Sequence, residues 1–259
     1  MPTFKEIKTF FDNTVNINAC PNDYSNNGIQ VEANTEIKKI AFGVDGCLAL
    51  FKEAASWNAD MIFVHHGISW GTGFQRLDGI LAKQLQILFK NDISLYAAHL
   101  PLDGHPLIGH NVLISQKLNL KNCEPFAEYC GLEIGVLGDI ASKNGINATD
   151  FAKKIATALD SDHVQTLGDA SKTIKRVAVI SGGGGKDGIN EAARVGADCL
   201  ITGEVGHSCF HMIKELGITV ITAGHYKSEI PGVKEMLKAV KNKYKDQVEC
   251  KFFDIPTGL

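Results

Sequence analysis

Short β-rich runs alternate with helical stretches in both halves of the chain, and this alternation restricts it to parallel α/β architecture. In the first half, IKKIAFGVD (37–45) reads as a strand and CLALFKEAASWNA (47–59) as a helix. The strand DMIFVHHG, the helix GILAKQLQILFKND, the strand ISLYAAHLPLD and a helix beginning near GHNVLISQKL follow. The second half repeats the order: strand IKRVAVISG, helix GINEAARVGA, strand DCLITGE, helix HSCFHMIKELG, strand ITVITAGH and helix SEIPGVKEMLKAVKNKY. The halves also match in detail. EAASWNADMIFVHHG lies over EAARVGADCLITGEV, placing His66 over Glu204, and ISLYAAH lies over ITVITAGH, so His99 and His225 end equivalent strands. The expectation is two related α/β lobes, one formed by residues 1–125 with 231–259 and the other by 126–230.

Composition narrows the function classes. The 259 residues are long enough to bury a large core, and 44% hydrophobic with 21% charged residues is ordinary for a globular protein. A net charge of -3 argues against nucleic acid as a ligand, because such binders carry a basic excess or stripe. The lysine-rich KEMLKAVKNKYKD (234–246) reads more simply as the solvated face of an amphipathic helix. No stretch approaches the ~20 apolar residues needed to span a bilayer, and MPTFKEIKTFF lacks the apolar core of a signal peptide. Seven cysteines without a CxxC pair suit reduced thiols in a cytoplasmic protein, with Cys199 and Cys250 acting as small hydrophobes inside apolar runs.

In open α/β sheets, ligand groups gather at the carboxyl ends of strands. His65, His66, His99, Asp103, Glu204 and His225 all fall at or just past such ends. Adjacent side chains on a strand point to opposite faces, so His65 and His66 cannot both serve one ion in regular strand geometry. Either one is incidental, or the strand ends there and each imidazole serves a different partner. In HLPLD (99–103), Pro101 prevents His99 and Asp103 from lying on one helical face; one is a ligand and the other its support, or Asp103 caps the next helix. In GHYKSE, His225 and Glu229 are four apart across a helix start and share a face, although a capping role for Glu229 is the alternative. His207 and His211 are also i, i+4, a spacing that suits zinc, but HSCFHMI reads equally as a packing face. SGGGGKDG (181–188) joins a strand to a helix; Gly183, Gly184 and Lys186 can cradle a phosphate, or the stretch is a flexible turn.

With HHG, HLPLD, GHN (109–111), ITGE and AGHYKSE in this order, nearly the whole chain resembles the NIF-three-like family, known as GTP cyclohydrolase type 2 homologues. The resemblance implies two α/β lobes with two divalent metals in the cleft between them, and a toroidal homohexamer. It implies that His65 and Asp103 hold one metal, His66 and His225 the other, and that Glu229 bridges both. On that reading the adjacent histidines are two rings serving two ions. Iron, zinc and manganese all suit such ligands. The implied activity is hydrolysis of a purine ring, with GTP as the candidate substrate and His99, Glu204 or His207 moving protons; a metal-loaded interaction scaffold without turnover is the rival. Two departures stand out. The N-terminal motif here reads NDYSNNGIQV, with Asn26 and Asn27 before Gly28, and there is no room for the extra domain that some relatives insert.

Overall fold

A computed structural model describes residues 2–33 and 36–259. In chain order the first elements are α1 (Phe4–Val15), β1 (Gly28–Val31), β2 (Lys39–Asp45), α2 (Leu48–Ser56), β3 (Met61–His66), α3 (Gly79–Lys90) and β4 (Ser94–Ala97). Next come α4 (Leu100–Asp103), α5 (His110–Lys117), β5 (Lys121–Tyr129), β6 (Leu132–Asp139), β7 (Ile146–Asn147), α6 (Ala148–Leu159), β8 (Gln165–Leu167) and β9 (Thr173–Ile174). The chain ends with β10 (Arg176–Gly183), α7 (Gly185–Arg194), β11 (Cys199–Glu204), α8 (Phe210–Leu216), β12 (Thr219–Thr222), α9 (His225–Tyr244) and β13 (Glu249–Phe252).

Two compact units result: Met1–Leu102 with Gly232–Ile255, and Asp103–Pro231 with Pro256–Leu259. The first break falls after Leu102, not near 125 as the sequence suggested. The reason is that α5 packs on β6 and β10, and β5 pairs with β6, so residues 103–125 belong to the second sheet. The last four residues also depart from the expected lobe, with the Tyr226 N–H donating to the Leu259 carbonyl.

The first unit is built on a five-stranded sheet ordered β1-β4-β3-β2-β13. Strands β13, β2, β3 and β4 run parallel, and β1 closes the edge antiparallel to β4. Met61–Val64 is buried throughout, as expected for a central parallel strand covered on both faces. On one face Phe63 stacks on Tyr96, centroids 5.6 Å apart, and Phe11 meets both rings edge-on at 5.1 and 4.9 Å. Phe11 arrives on α1, whose buried residues Ile7, Phe11 and Val15 recur every four positions. That helix opens with a capping box between Thr3 and Glu6.

The second unit has a six-stranded sheet ordered β5-β6-β10-β11-β12-β8, with β10, β11 and β12 parallel. Its strand residues alternate between two aliphatic clusters: Val177, Val179 and Ile201 pack with Phe151 and Ile155 of α6, whereas Ala178, Ile180 and Leu200 pack with Ile189 of α7 and Ile213 of α8. Cys199 is fully buried here as a small hydrophobe, and burial pushes its thiol above the usual range. Among the described residues no helix is long and apolar enough to cross a membrane.

Candidate metal centre

In the first unit the carboxyl ends of β3 and β4 gather three imidazoles. Both His65 and His66 lie inside β3, which ends at His66. Each is held from a different neighbouring strand. His65, fully buried, donates Nδ1–H to the Ala98 carbonyl beyond β4 at 2.8 Å; His66 Nδ1 bonds Asp45 at the end of β2 at 2.8 Å. The ring centroids still meet at 4.5 Å. His99 joins them, 5.1 Å from His65 and 5.6 Å from His66, with its Nδ1 on Asp23 at 2.9 Å. One ring nitrogen from each of the three lies within 4.8 Å of one from each of the others.

The NDYSNNGIQV segment builds this arrangement, a role its sequence did not disclose. Asp23, its side chain almost fully buried, also accepts from the Leu100 amide at 3.0 Å and from Asn27 at 2.8 Å. Burial pushes its carboxyl up, but the hydrogen bond and charge of His99, with Asn27 and the Ser25 amide, outweigh this and leave it below the usual value. Asn27 accepts from the His99 amide at 2.7 Å. Gln30 takes the amides of Ile68 and Ser69 at 2.7 and 3.1 Å, fixing the turn that follows the two histidines. A Cβ at Gly67 would lie 2.2 Å from Gln30 Oε1, so a side chain there would displace the Gln30 amide from these bonds. Trp70 walls one side, edge-on to His99 at 5.1 Å.

In the second unit α9 begins at His225, three residues before the predicted start, and puts His225 and Glu229 on one face as expected. His225 lies between two carboxylates, Nε2 3.2 Å from Glu229 and Nδ1 3.1 Å from Glu204. Burial lowers the imidazole pKa, yet Glu229 and Glu204 together prevail and hold it up at about 9. Glu229 is buried and Glu204 is half exposed, so Glu204 acts as the tether that orients the ring. Buried Asp103, at the end of α4, accepts from the Ser181 hydroxyl at 3.0 Å, and a nitrogen of buried His110 lies within 4.8 Å of its carboxylate. His110 belongs to the GHN motif but its type and spacing alone assigned it no role.

The glycine stretch has a packing duty beside any phosphate role. Gly182 sits at φ +61°, and a Cβ there would come 2.2 Å from Glu229 Oε1. The Gly182 amide donates to Ser228 Oγ at 2.9 Å and the Gly184 amide to Thr202 Oγ1 at 2.9 Å, so two of its backbone donors are already engaged. Gly183 and Lys186 are exposed. His207 and His211 are exposed too, and neither joins a group of metal-ligand type among the described residues.

These donors suit a borderline divalent metal. Metal-ligating histidines characteristically give their second ring nitrogen to a carbonyl or carboxylate, which sets the tautomer and the ring direction. His65, His66, His99 and His225 all carry such a tether, on Ala98, Asp45, Asp23 and Glu204.

Comparison with known proteins agrees with the pattern of motifs. The chain is 43% identical over 255 residues to a GTP cyclohydrolase 1 type 2 homolog of Pyrococcus abyssi, covering 98% of this chain and 99% of that one. It is 44% identical to the protein of the same name from Pyrococcus horikoshii, covering 98% of each. Among solved structures it matches TTHA1606 from Thermus thermophilus with a TM-score of 0.86 and 31% identity, covering 100% of both chains. The model of the Duf34/NIF3 (NGG1p interacting factor 3) family matches residues 2–258, and the chain belongs to that family.

Proposed function

We propose that the protein is a metal-dependent hydrolase that holds two divalent ions per chain, iron, zinc or manganese. His65 and Asp103 would hold one, His66 and His225 would hold the other, and Glu229 would be a ligand common to both. The observation that carries this reading is the tethering of four imidazoles, His65, His66, His99 and His225, each through Nδ1. When bound, such ions lower the pKa of water and supply a nucleophile at neutral pH. The chain's own residues do the rest. His99, backed by ionised Asp23, accepts a proton on its second ring nitrogen and returns it to the departing group. Glu204 keeps His225 oriented, and Lys186 at the start of α7 offers a cation to a phosphate group. The substrate class is a purine nucleotide such as GTP, a choice the names of the relatives support; one water opens its imidazole ring to a formamide and a second releases formate.

The test is formate release from GTP by protein stripped of metal and then reloaded. Release that requires added iron, zinc or manganese, and disappears in Glu229→Gln, supports the hydrolase. A reloaded protein that makes no formate with any of the three moves the reading to a metal-loaded interaction scaffold. One feature favours that second reading: Phe74 and Leu77 ahead of α3, and Ile80 in its first turn, are exposed. The same surface supports self-association, for which we retain the toroidal homohexamer; light scattering that returned a 28.0 kDa monomer at micromolar concentration would overturn it.

A further inference from the structure

We infer that Tyr24 and Trp70 form a stacking platform for a planar heteroaromatic ring, beside the imidazoles of the first unit. The inference rests on the hydrolase reading above and deepens it, by naming the two side chains that hold the base of the nucleotide.

Exposure sets these two rings apart. Phe11, Phe63 and Tyr96, the aromatic centre of the first unit, are fully buried. Tyr24 is 71% exposed and Trp70 is half-buried, yet their centroids lie 6.4 Å apart with planes 30° from parallel. Tyr24 fills no part of the core. Its ring keeps an apolar face against water, and a flat ligand laid on that face would remove it from water. An exposed aromatic that stands alone needs no explanation, but Tyr24 is held in place beside a second ring.

Two loops laid antiparallel do the holding. Ser25 and Trp70 form a bridge, the Gly71 amide donates to the Tyr24 carbonyl at 2.7 Å, and the Asn26 amide donates to the Ser69 carbonyl at 3.1 Å. The Asn26 side chain also donates to the Ser69 hydroxyl at 2.8 Å and to the Gly71 carbonyl at 3.1 Å. The Tyr24 ring lies over Gly71, which sits at φ +71°; a Cβ there would come 2.8 Å from the phenol oxygen. Trp70 is fixed by its indole N–H, which donates to the Gly67 carbonyl at 2.9 Å. Rings ordered before a ligand arrives bind it without the entropic cost of ordering them.

The surroundings select the ligand. Trp70 meets His99 edge-on at 5.1 Å and lies 6.2 Å from His66, so the indole links the exposed phenol to the imidazoles. A ligand lying on the pair is therefore a neighbour of the proton carrier proposed above. Neither platform side chain is ionic, so the flat ring, not the phosphate, is what it recognises. Every nucleobase offers such a face. Sugars also lie on aromatic faces through their C–H bonds, and the test separates base from sugar.

Trp57 and Trp70 are the two tryptophans of the chain, so Trp57→Phe leaves Trp70 as the only one. That full-length variant, free of metal, is titrated with guanosine 5′-monophosphate and with ribose 5-phosphate, the same molecule without its base. The nucleotide should bind and change Trp70 fluorescence, and ribose 5-phosphate should do neither. By calorimetry, Tyr24→Ala should weaken nucleotide binding about fivefold or more, and Tyr24→Phe should stay within about twofold of the parent. Should Trp57→Phe fail to fold, calorimetry on the unaltered chain and the Tyr24 variants decides. Ribose 5-phosphate binding as tightly as the nucleotide overturns the inference, as does nucleotide affinity unchanged in Tyr24→Ala or absent from the metal-free chain. The hydrolase reading fails separately. Nucleotide stacking on Trp70, with no formate from GTP in the reloaded protein, sustains the platform and defeats the hydrolase. Metal-dependent formate release with an unchanged KM in Tyr24→Ala does the reverse.

Discussion

The two units place equivalent strands side by side and put different chemistry at their ends. In the first, β2, β3 and β4 are parallel with antiparallel β1 beyond β4; in the second, β10, β11 and β12 are parallel with antiparallel β8 beyond β12. The alignment that sets His66 over Glu204 also sets His65 over Gly203 and Phe63 over Ile201. At the first of these positions one unit buries an imidazole. The other has no room for a side chain, because a Cβ on Gly203 would lie 2.5 Å from the Gly182 carbonyl and 2.6 Å from His225 Cα. At the next position, His66 is an imidazole tethered by a carboxylate, whereas Glu204 is the carboxylate that tethers an imidazole. The lesson is that a repeated fold supplies addresses at strand ends, and each unit fills them with its own donors.

The cores break the comparison most severely. Phe63→Ala removes the centre of an aromatic cluster and should cost about 3–5 kcal/mol, while Ile201→Ala in the aliphatic core of the second unit should cost about 2–5 kcal/mol. Chemical denaturation measures both, and a Phe63→Ala loss below that of Ile201→Ala would deny the aromatic core its larger share. Gly203→Ala comes next. It should destabilise by about 1–3 kcal/mol through overpacking. An unchanged melting temperature would show that the carbonyl of Gly182 and the start of α9 yield more easily than their spacing implies.

Gln30→Ala should have a smaller effect. It strips acceptors from the Ile68 and Ser69 amides at about 0.5–1.5 kcal/mol per hydrogen bond, and the loosened turn should weaken metal binding more than it lowers stability. Equal metal affinity in the variant would confine Gln30 to the fold.

The smallest effect is on pH. The folded pKa of His225 is raised to about 9 from 6.5, so the metal-free protein gains stability from the protonated ring that is complete below about pH 6.5 and is lost as pH rises through 9. The melting temperature of stripped protein should therefore drop as pH rises from about 7 to beyond 9, and Glu204→Gln should flatten that drop. Asp23 acts in the opposite sense. Its lowered pKa contributes stability above the usual carboxylate pKa that is lost as pH falls through the folded value. An alkaline slope identical in Glu204→Gln would remove Glu204 from the pair.

Much of this was legible in the sequence where a period could be read. The six parallel strands at the sites are continuous apolar runs, and the ends of β3, β11 and β12 announced themselves by His66, Glu204 and His225. The hairpin β5–β6 was not legible, because KNCEPFAEY is largely exposed, contains Pro125 and lacks alternation. That omission moved the expected unit boundary from 102 to 125. The tethers were hidden for another reason. Asp23 and Asn27 reach His99 across 76 and 72 residues, and Gln30 reaches Ile68 across 38, so only the folded chain shows what they do. Strand alternation sends His65 and His66 to opposite faces, but it takes no account of their anchors on the two neighbouring strands, which leave the ring centroids 4.5 Å apart.

The measurement that bears most directly on the metal centre is metal content per chain, by elemental analysis after reconstitution, for the wild type and three variants. A carboxylate between two cations offsets their mutual repulsion, which is large at short range in a low dielectric. The expected result is two ions in the wild type, loss of both together in Glu229→Gln, and loss of chiefly one in His65→Ala and the other in His66→Ala, with melting temperatures falling only by the lost metal linkage. One ion or fewer in the wild type, or two tightly held ions in Glu229→Gln, would contradict it and leave Glu229 as a partner of His225 within α9.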